Sequence, residues 1–235
     1  MLRLITDFDG PIVDVSERYY RVYHFCLDQV RRPEQSVRWL SKTEFWALKR
    51  SRVPERQIGQ ISGLDEIQGR AFAQLRRKTV HTLPYLCFDQ LMPNANQALH
   101  QIQQMNIDLT LMTMRRLHEL EHALKQFNLT DMFPEDHRYC RRNRAFKTTD
   151  IEEKTLLMQQ ALLEMPPAAE TWMIGDTEAD ILSAKSHGIP VIGVSCGIRD
   201  RNQLANYEPD WIADDLTEAL DIITTKSWLR SSERA

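Results

Sequence analysis

Leu2-Arg3-Leu4-Ile5-Thr6-Asp7-Phe8-Asp9-Gly10 is the stretch that decides the fold class. The run from Leu2 to Thr6 is short and largely apolar, and it ends in an acidic turn that contains glycine. That pattern reads as a buried strand whose carboxyl end carries the chemistry. From about Val15 to Leu86 the periodicity turns helical, with Tyr19, Val22, Tyr23, Cys26, Leu27 and Val30 at three- and four-residue steps and no strand after them. An all-helical insertion therefore follows the first strand directly.

After Pro93 the pattern changes again. A helix over about Ala95–Met105 leads into a second buried strand, Ile107–Met112, and helix and strand then alternate. Leu117–Phe127, Ile151–Glu164 and Ala179–His187 read as helices, the last of them stopped by Gly188. Arg138–Cys140, Thr171–Ile174, Val191–Val194 and Trp211–Ala213 read as strands, and Thr171–Ile174 runs straight into Gly175-Asp176. Strands separated by helices predict an α/β protein with a doubly wound, Rossmann-like parallel sheet. The expected division is a core of residues 1–15 and 87–235 around a helical cap of residues 16–86, with a polar, frayed tail from about Trp228.

The chain has 235 residues, 42% hydrophobic and 27% charged, enough to bury a substantial core. No apolar run approaches the roughly 20 residues needed to span a bilayer, and the N-terminus lacks a secretory pattern, so a cytoplasmic protein with no membrane partner is expected. Cys26, Cys87, Cys140 and Cys196 show no C-x-x-C spacing, which argues against a zinc site and against a disulfide framework. His118 and His122 lie four apart without an evident third ligand. Residues 16–85 hold 14 Lys+Arg against 7 Asp+Glu, a charge of +7, so with a net charge of −3 for the whole chain the remainder carries −10 and is acidic. Solvated helix faces account for that; so does a basic lid that attracts an anionic substrate. The arginines of the basic piece lack the aromatic interleaving of a nucleic-acid platform, and the cluster Arg138, Arg141, Arg142 and Arg144 reads as a solvated loop, with a subunit contact or a polyanion patch as the alternative. In the cap, Tyr19, Tyr20, Trp39, Trp46 and Arg50 are candidates for a substrate pocket, with core packing the better account of the tryptophans.

In a doubly wound sheet the ligand crevice lies beyond the carboxyl ends of the strands. Asp7 and Asp9 follow one such end and Asp176 another, so three carboxylates can meet there. Hard oxygen ligands in a small space suit Mg²⁺, which is held by one or two carboxylates together with a substrate phosphate. With a phosphate in place, Asp7 can attack phosphorus to give an aspartyl-phosphate, and Asp9 can protonate the leaving alcohol and later deprotonate water. Thr113, after the second strand, and a lysine at a helix start can supply the donors that phosphoryl oxygens need.

Asp7-Phe8-Asp9-Gly10 with Asp14, then Thr113, Lys154 and Gly175-Asp176-x-x-x-Asp180, resembles the haloacid dehalogenase superfamily over nearly the whole chain. The helical insertion after the first motif and the stretch Ile174–Gly197 resemble its phosphoglycolate-phosphatase-like branch. The resemblance implies a Mg²⁺-dependent phosphomonoesterase acting on a small phosphorylated metabolite, with Asp7 as nucleophile and Asp9 as acid/base. It places the metal against Asp7, the Asp9 carbonyl, Asp176 and Asp180, and the phosphoryl group against Asp7, Gly10, Thr113, Met114 and Lys154. Lys147 competes for the lysine role, although Lys154 better matches the family's spacing to Gly175-Asp176. Asp14 is expected only as the N-cap of the first cap helix, and Asp180 either as a first-turn carboxylate favoured by the helix dipole or as metal support. Pro11 stands where threonine or valine is commonest, and Met114-Arg115 where many relatives have asparagine. A phosphoglucomutase-like phosphotransferase and a non-catalytic binding protein are the alternatives. Dehalogenation is disfavoured, because it uses no second carboxylate at the Asp9 position.

Overall fold

In the computed structural model, which describes residues 1–141 and 149–232, the chain forms two compact units. One is Met1–Asp14 with Leu91–Ala235, the other Val15–Gln90. The second contains the helices α1 (Ser16–Val30), α2 (Lys42–Arg50), α3 (Glu55–Ile61), α4 (Glu66–Thr79) and α5 (Leu83–Leu86). The first contains α6 (Ala95–Gln104), α7 (Leu117–Gln126), α8 (Asp150–Glu164), α9 (Glu178–Ser186), α10 (Arg201–Ala205) and α11 (Leu216–Ser232). Among the described residues no helix is long and apolar enough to cross a membrane.

The α/β unit is built on β1 (Leu2–Thr6), β2 (Asp108–Thr113), β3 (Arg138–Cys140), β4 (Glu170–Gly175), β5 (Val191–Val194) and β6 (Trp211–Ala213). They form one six-stranded sheet in the order β3-β2-β1-β4-β5-β6, with parallel pairing throughout. The chain leaves β1 toward β2 on one side and returns to β4 on the other, so the strand order reverses at the end of β1, where such sheets open a crevice. Ile5 pairs with Thr110 and Met173, which gives the three central strands matching ends. Both faces of these strands are covered, which explains their near-continuous apolar runs. On one face Ile5, Met112 and Met173 pack with Leu157, Met158 and Ala161 of α8 and with Ile181 and Ala184 of α9. On the other, by the strand period of two, lie the buried Leu4, Leu111 and Trp172.

The helical unit has its own core, in which Val22, Tyr23, Cys26 and Leu27 of α1 meet Leu40, Phe45, Ile58 and Phe72. Capping boxes at Ser41 and Asp65 start α2 and α4, each satisfying backbone N–H groups that a helix start leaves open. The unit runs to Gln90 rather than to residue 86 because α5 continues into a turn in which Phe88 N–H donates to Tyr85 and Asp89 N–H to Leu86. Asp89 then closes a buried ion pair with Arg18 at 2.8 Å.

Several expectations need correction. Asp14 is not the N-cap of α1: Val15 holds that position and no side chain caps the helix. Trp39 is not in the core but 43% exposed, stacked on His24 at 4.9 Å between centroids. It lies between α1 and α2, where no helix face directs it inward. The tail expected to fray after about Trp228 is helical as far as Ser232, since it contains no glycine or proline to stop the helix, and its last three residues lie outside the described residues. The strand expected at Ile107–Met112 runs instead from Asp108 to Thr113. The four cysteines are free, and burial pushes the Cys26 thiol up to about 12.

Candidate active site

The site grows from the carboxyl ends of β1 and β4 and the first turns of α8 and α9. Asp7 follows β1 and donates its backbone N–H to the Ile174 carbonyl at 2.9 Å, which ties this aspartate to β4. Its Oδ1 accepts from the Phe8 N–H at 2.7 Å and its Oδ2 from Lys154 Nζ at 2.6 Å. Lys154 reaches it because Lys154, Leu157, Met158 and Ala161 share one stripe of α8, the stripe that packs on the Ile5 face of the sheet. The same ammonium pairs with Asp180 Oδ1 and is fully buried. Asp180 does two jobs at once. Its Oδ2 accepts from the Thr177 N–H at 3.0 Å and from the Thr177 hydroxyl at 2.6 Å, the capping box of α9, while its Oδ1 holds the lysine.

Asp176 completes the group: ligand oxygens of Asp7, Asp176 and Asp180 all lie within 4.8 Å of one another, and all three side chains are buried. Asp176 is gripped by glycines. A Cβ at Gly10, whose φ is +99°, would stand 2.3 Å from Asp176 Cγ, and one at Gly197 would stand 2.0 Å from Asp176 Oδ2. No other residue fits at either position without moving the carboxylate. The Ile198 N–H donates to Asp176 Oδ2 at 2.6 Å, and the loop that presents it is fastened by Arg199, whose Nε and Nη2 reach the two oxygens of Glu178 at 2.9 and 3.2 Å.

Burial pushes Asp7 up to about 7 against the pull of Lys154, with Asp180 adding to the rise. Burial likewise raises Asp176 well above the usual carboxylate range, helped by Asp7 and Asp180. Burial disfavours the charge of Lys154, yet Asp180 and Asp7 together hold its pKa above that of an ordinary lysine. Three buried carboxylates thus stand together with one ammonium, which pairs with Asp7 and Asp180, and the excess of negative charge together with an all-oxygen donor set fits a hard divalent cation. Among the described residues no other group of three His, Cys, Asp or Glu side chains is close enough to hold a metal, His118 and His122 included.

The remaining expected residues are placed differently. The Asp9 carboxylate stands apart from the cluster, in an ion pair with Arg115. Thr113 is buried at the end of β2, its Oγ1 accepting from the Arg115 N–H at 3.2 Å. The Met114 side chain packs against the core on the Ile5 face. Lys147 lies outside the described residues, as do Arg142 and Arg144. Arg138 is spent on local structure, donating to the Thr130 carbonyl at 3.1 Å. Sequence reasoning passed over Arg115, the Gly197-Ile198 turn and the Glu178–Arg199 pair. The first was legible only as a departure from a family pattern, the others only as a glycine and charges in a loop.

Residues 3–188 match the haloacid dehalogenase-like hydrolase family, and the chain belongs to it. It is 26% identical over 162 residues to a phosphoglycolate phosphatase from Vibrio vulnificus, covering 68% of this chain and 67% of that one. It is 22% identical over 225 residues to a phosphoglycolate phosphatase from Synechococcus elongatus, covering 95% and 98%. Among solved structures, a haloacid dehalogenase-like hydrolase from Streptococcus pneumoniae shares the fold with a TM-score of 0.69 at 21% identity, covering 94% of this chain and 97% of that chain.

Proposed function

We propose that this protein is a Mg²⁺-dependent phosphatase that hydrolyses a small phosphomonoester through an aspartyl-phosphate on Asp7. The observation that carries the reading is the buried cluster of Asp7, Asp176 and Asp180 around Lys154, set where the strand order reverses. Its relatives named phosphoglycolate phosphatase fit that reading and make phosphoglycolate one candidate among small phosphorylated metabolites.

Asp7, Asp176 and Asp180, with the Asp9 carbonyl, are the groups that would hold Mg²⁺, which when bound screens the phosphoryl charge and lets an anionic substrate approach an anionic nucleophile. Lys154 neutralises part of that charge and keeps the Asp7 carboxylate oriented by its 2.6 Å contact to Oδ2. An Asp7 oxygen attacks phosphorus, the bond from phosphorus to the ester oxygen breaks, and that oxygen leaves as an alcohol with the proton of the Asp9 carboxyl. Water then attacks the same phosphorus and gives a proton to the Asp9 carboxylate. The Asp7–phosphorus bond breaks, and inorganic phosphate and both aspartates are restored. Thr113 and the backbone of the Gly10 turn serve as donors to the phosphoryl oxygens.

The test is phosphate release from a panel of alkyl and aryl phosphomonoesters, with Mg²⁺ and with the metal chelated. Turnover that requires Mg²⁺ and yields free phosphate is expected. Phosphate passed to a sugar acceptor instead of water would replace the hydrolase by a transferase, and no turnover on the whole panel would overturn the reading.

A further inference from the structure

We propose that Arg115 is the positioning residue of the acid/base carboxylate: it holds Asp9 by one oxygen and thereby assigns the travelling proton to the other. The inference rests on the phosphatase reading above and deepens it. Arg115 Nε donates to Asp9 Oδ1 at 2.8 Å, and Arg115 Nη2 lies 2.6 Å from the same oxygen. An oxygen that faces two N–H donors has its lone pairs engaged and has no room for an O–H pointing the same way. The carboxyl proton therefore belongs on Oδ2, and the fork fixes where Oδ2 points.

The guanidinium is itself held firmly. Arg115 is 2% exposed, although its partner's side chain is 27% exposed. It lies over the ring of Phe8, 5.0 Å from the centroid, and Phe8 is fully buried between the two aspartates in sequence. Its main chain is tied to the end of β2: the N–H donates to Thr113 Oγ1 at 3.2 Å, and the carbonyl accepts from the Arg141 N–H at 3.1 Å. Since β2 pairs with β1 in the register Thr6 with Leu111, the turn after β2 stands beside the turn after β1, and the arginine crosses from one to the other. Burying a guanidinium is expensive unless it is paired, and a lysine there could offer Asp9 a point charge but not a planar fork. The cost is explained by what it secures: a carboxyl group whose proton must meet an ester oxygen to within a few tenths of an ångström.

Two other roles would suit a buried arginine near a phosphatase site, namely a direct contact with the phosphoryl group and simple support of the fold. Leaving-group dependence separates them. An alkyl phosphate expels a strongly basic alkoxide and needs the proton, whereas 4-nitrophenyl phosphate expels a stable phenolate and does not. The ratio kcat/KM reports only the steps up to departure of the leaving group, so the later use of Asp9 as a base does not enter.

The experiment measures kcat/KM for R115M, R115K and wild type with the alkyl phosphate turned over fastest in the panel and with 4-nitrophenyl phosphate. In R115M the alkyl ester is expected to lose about 10²–10³-fold and the aryl ester less than about tenfold, the difference being the general-acid contribution. R115K should recover only part of the alkyl loss. Equal losses with both esters, or no loss with either, would overturn the assignment. If R115M does not fold, the same ratio is read from R115K, where an unchanged alkyl-to-aryl preference overturns it. A wild type that releases no phosphate from either ester overturns the phosphatase reading and this assignment with it, whereas active wild type with an unaltered ratio in the variants overturns the assignment alone.

Discussion

Asp7→Asn is expected to lower Mg²⁺-dependent phosphate release by on the order of 10⁴-fold or more, the scale seen when a covalent nucleophile is removed from a unit that works together. The asparagine oxygen can still accept from the Phe8 N–H, which Asp7 Oδ1 meets at 2.7 Å, so the β1 turn has no reason to move. What disappears is the anionic oxygen 2.6 Å from Lys154 Nζ, the one side-chain atom that bonds to phosphorus in the proposed mechanism. The loss should fall equally on alkyl and aryl esters, because no leaving group compensates for a missing nucleophile. The check is kcat for both ester classes, with a urea titration showing that the variant is folded. Activity within tenfold of wild type in a folded Asp7→Asn protein would remove the aspartyl-phosphate from the account.

The second large effect belongs to Lys154→Met and reaches both stability and rate. Lys154 is completely buried, with one ammonium serving Asp7 and Asp180. Methionine fills much of the same volume but leaves two buried carboxylates without their cation, and removing one partner of a buried ion pair costs about 3–5 kcal/mol. The midpoint of urea unfolding should fall accordingly in the absence of metal, with an unchanged slope. On the folded fraction, kcat/KM should drop by about 10²–10³-fold, as when one preorganised donor to a phosphoryl or oxyanion charge is lost. A variant with wild-type stability and wild-type rate would show that another lysine fills the role, and Lys147 would be the one to replace next.

How much of this could be read from the chain depends on whether the signal was local. The end of β1 was legible because Leu2–Thr6 is an apolar run broken by Asp7-Phe8-Asp9-Gly10, and a parallel sheet puts such ends together whatever the length of chain between them. Lys154 was legible as a buried lysine in principle, since it falls on the stripe of Leu157, Met158 and Ala161 where a solvated lysine would not belong. The final helix was equally readable from Leu216, Ala219, Leu220 and Ile223, all buried and spaced at three, four and seven residues, although the polar residues beyond them gave the impression of a frayed tail. The contact that Arg115 makes was not readable. Its partner Asp9 is 106 residues away, and nothing in the periodicity around Met114-Arg115 says which way an arginine after a strand will turn. Trp39 failed for a related reason: outside a helix or strand, residue type alone favoured burial, and the stacking on His24 that lets it stay at the surface is a contact between segments with no common period. The glycines at positions 10 and 197 show a third kind of limit. Turn chemistry explains Gly10 through its positive φ, but the demand made by Asp176 on both positions is a close approach that only the folded chain reveals.

The most direct measurement is to trap the phosphoryl group. In Asp9→Asn the residue that deprotonates water is gone, while 4-nitrophenyl phosphate needs no acid to leave, so the enzyme should be phosphorylated faster than it is released. Rapid acid quench with Mg²⁺ present, followed by peptide mass analysis, is predicted to find close to one phosphoryl group per chain, carried on Asp7 and discharged by hydroxylamine. A phosphoryl group on another side chain, or none at all in an Asp9→Asn protein that still turns over the aryl ester, would contradict the account.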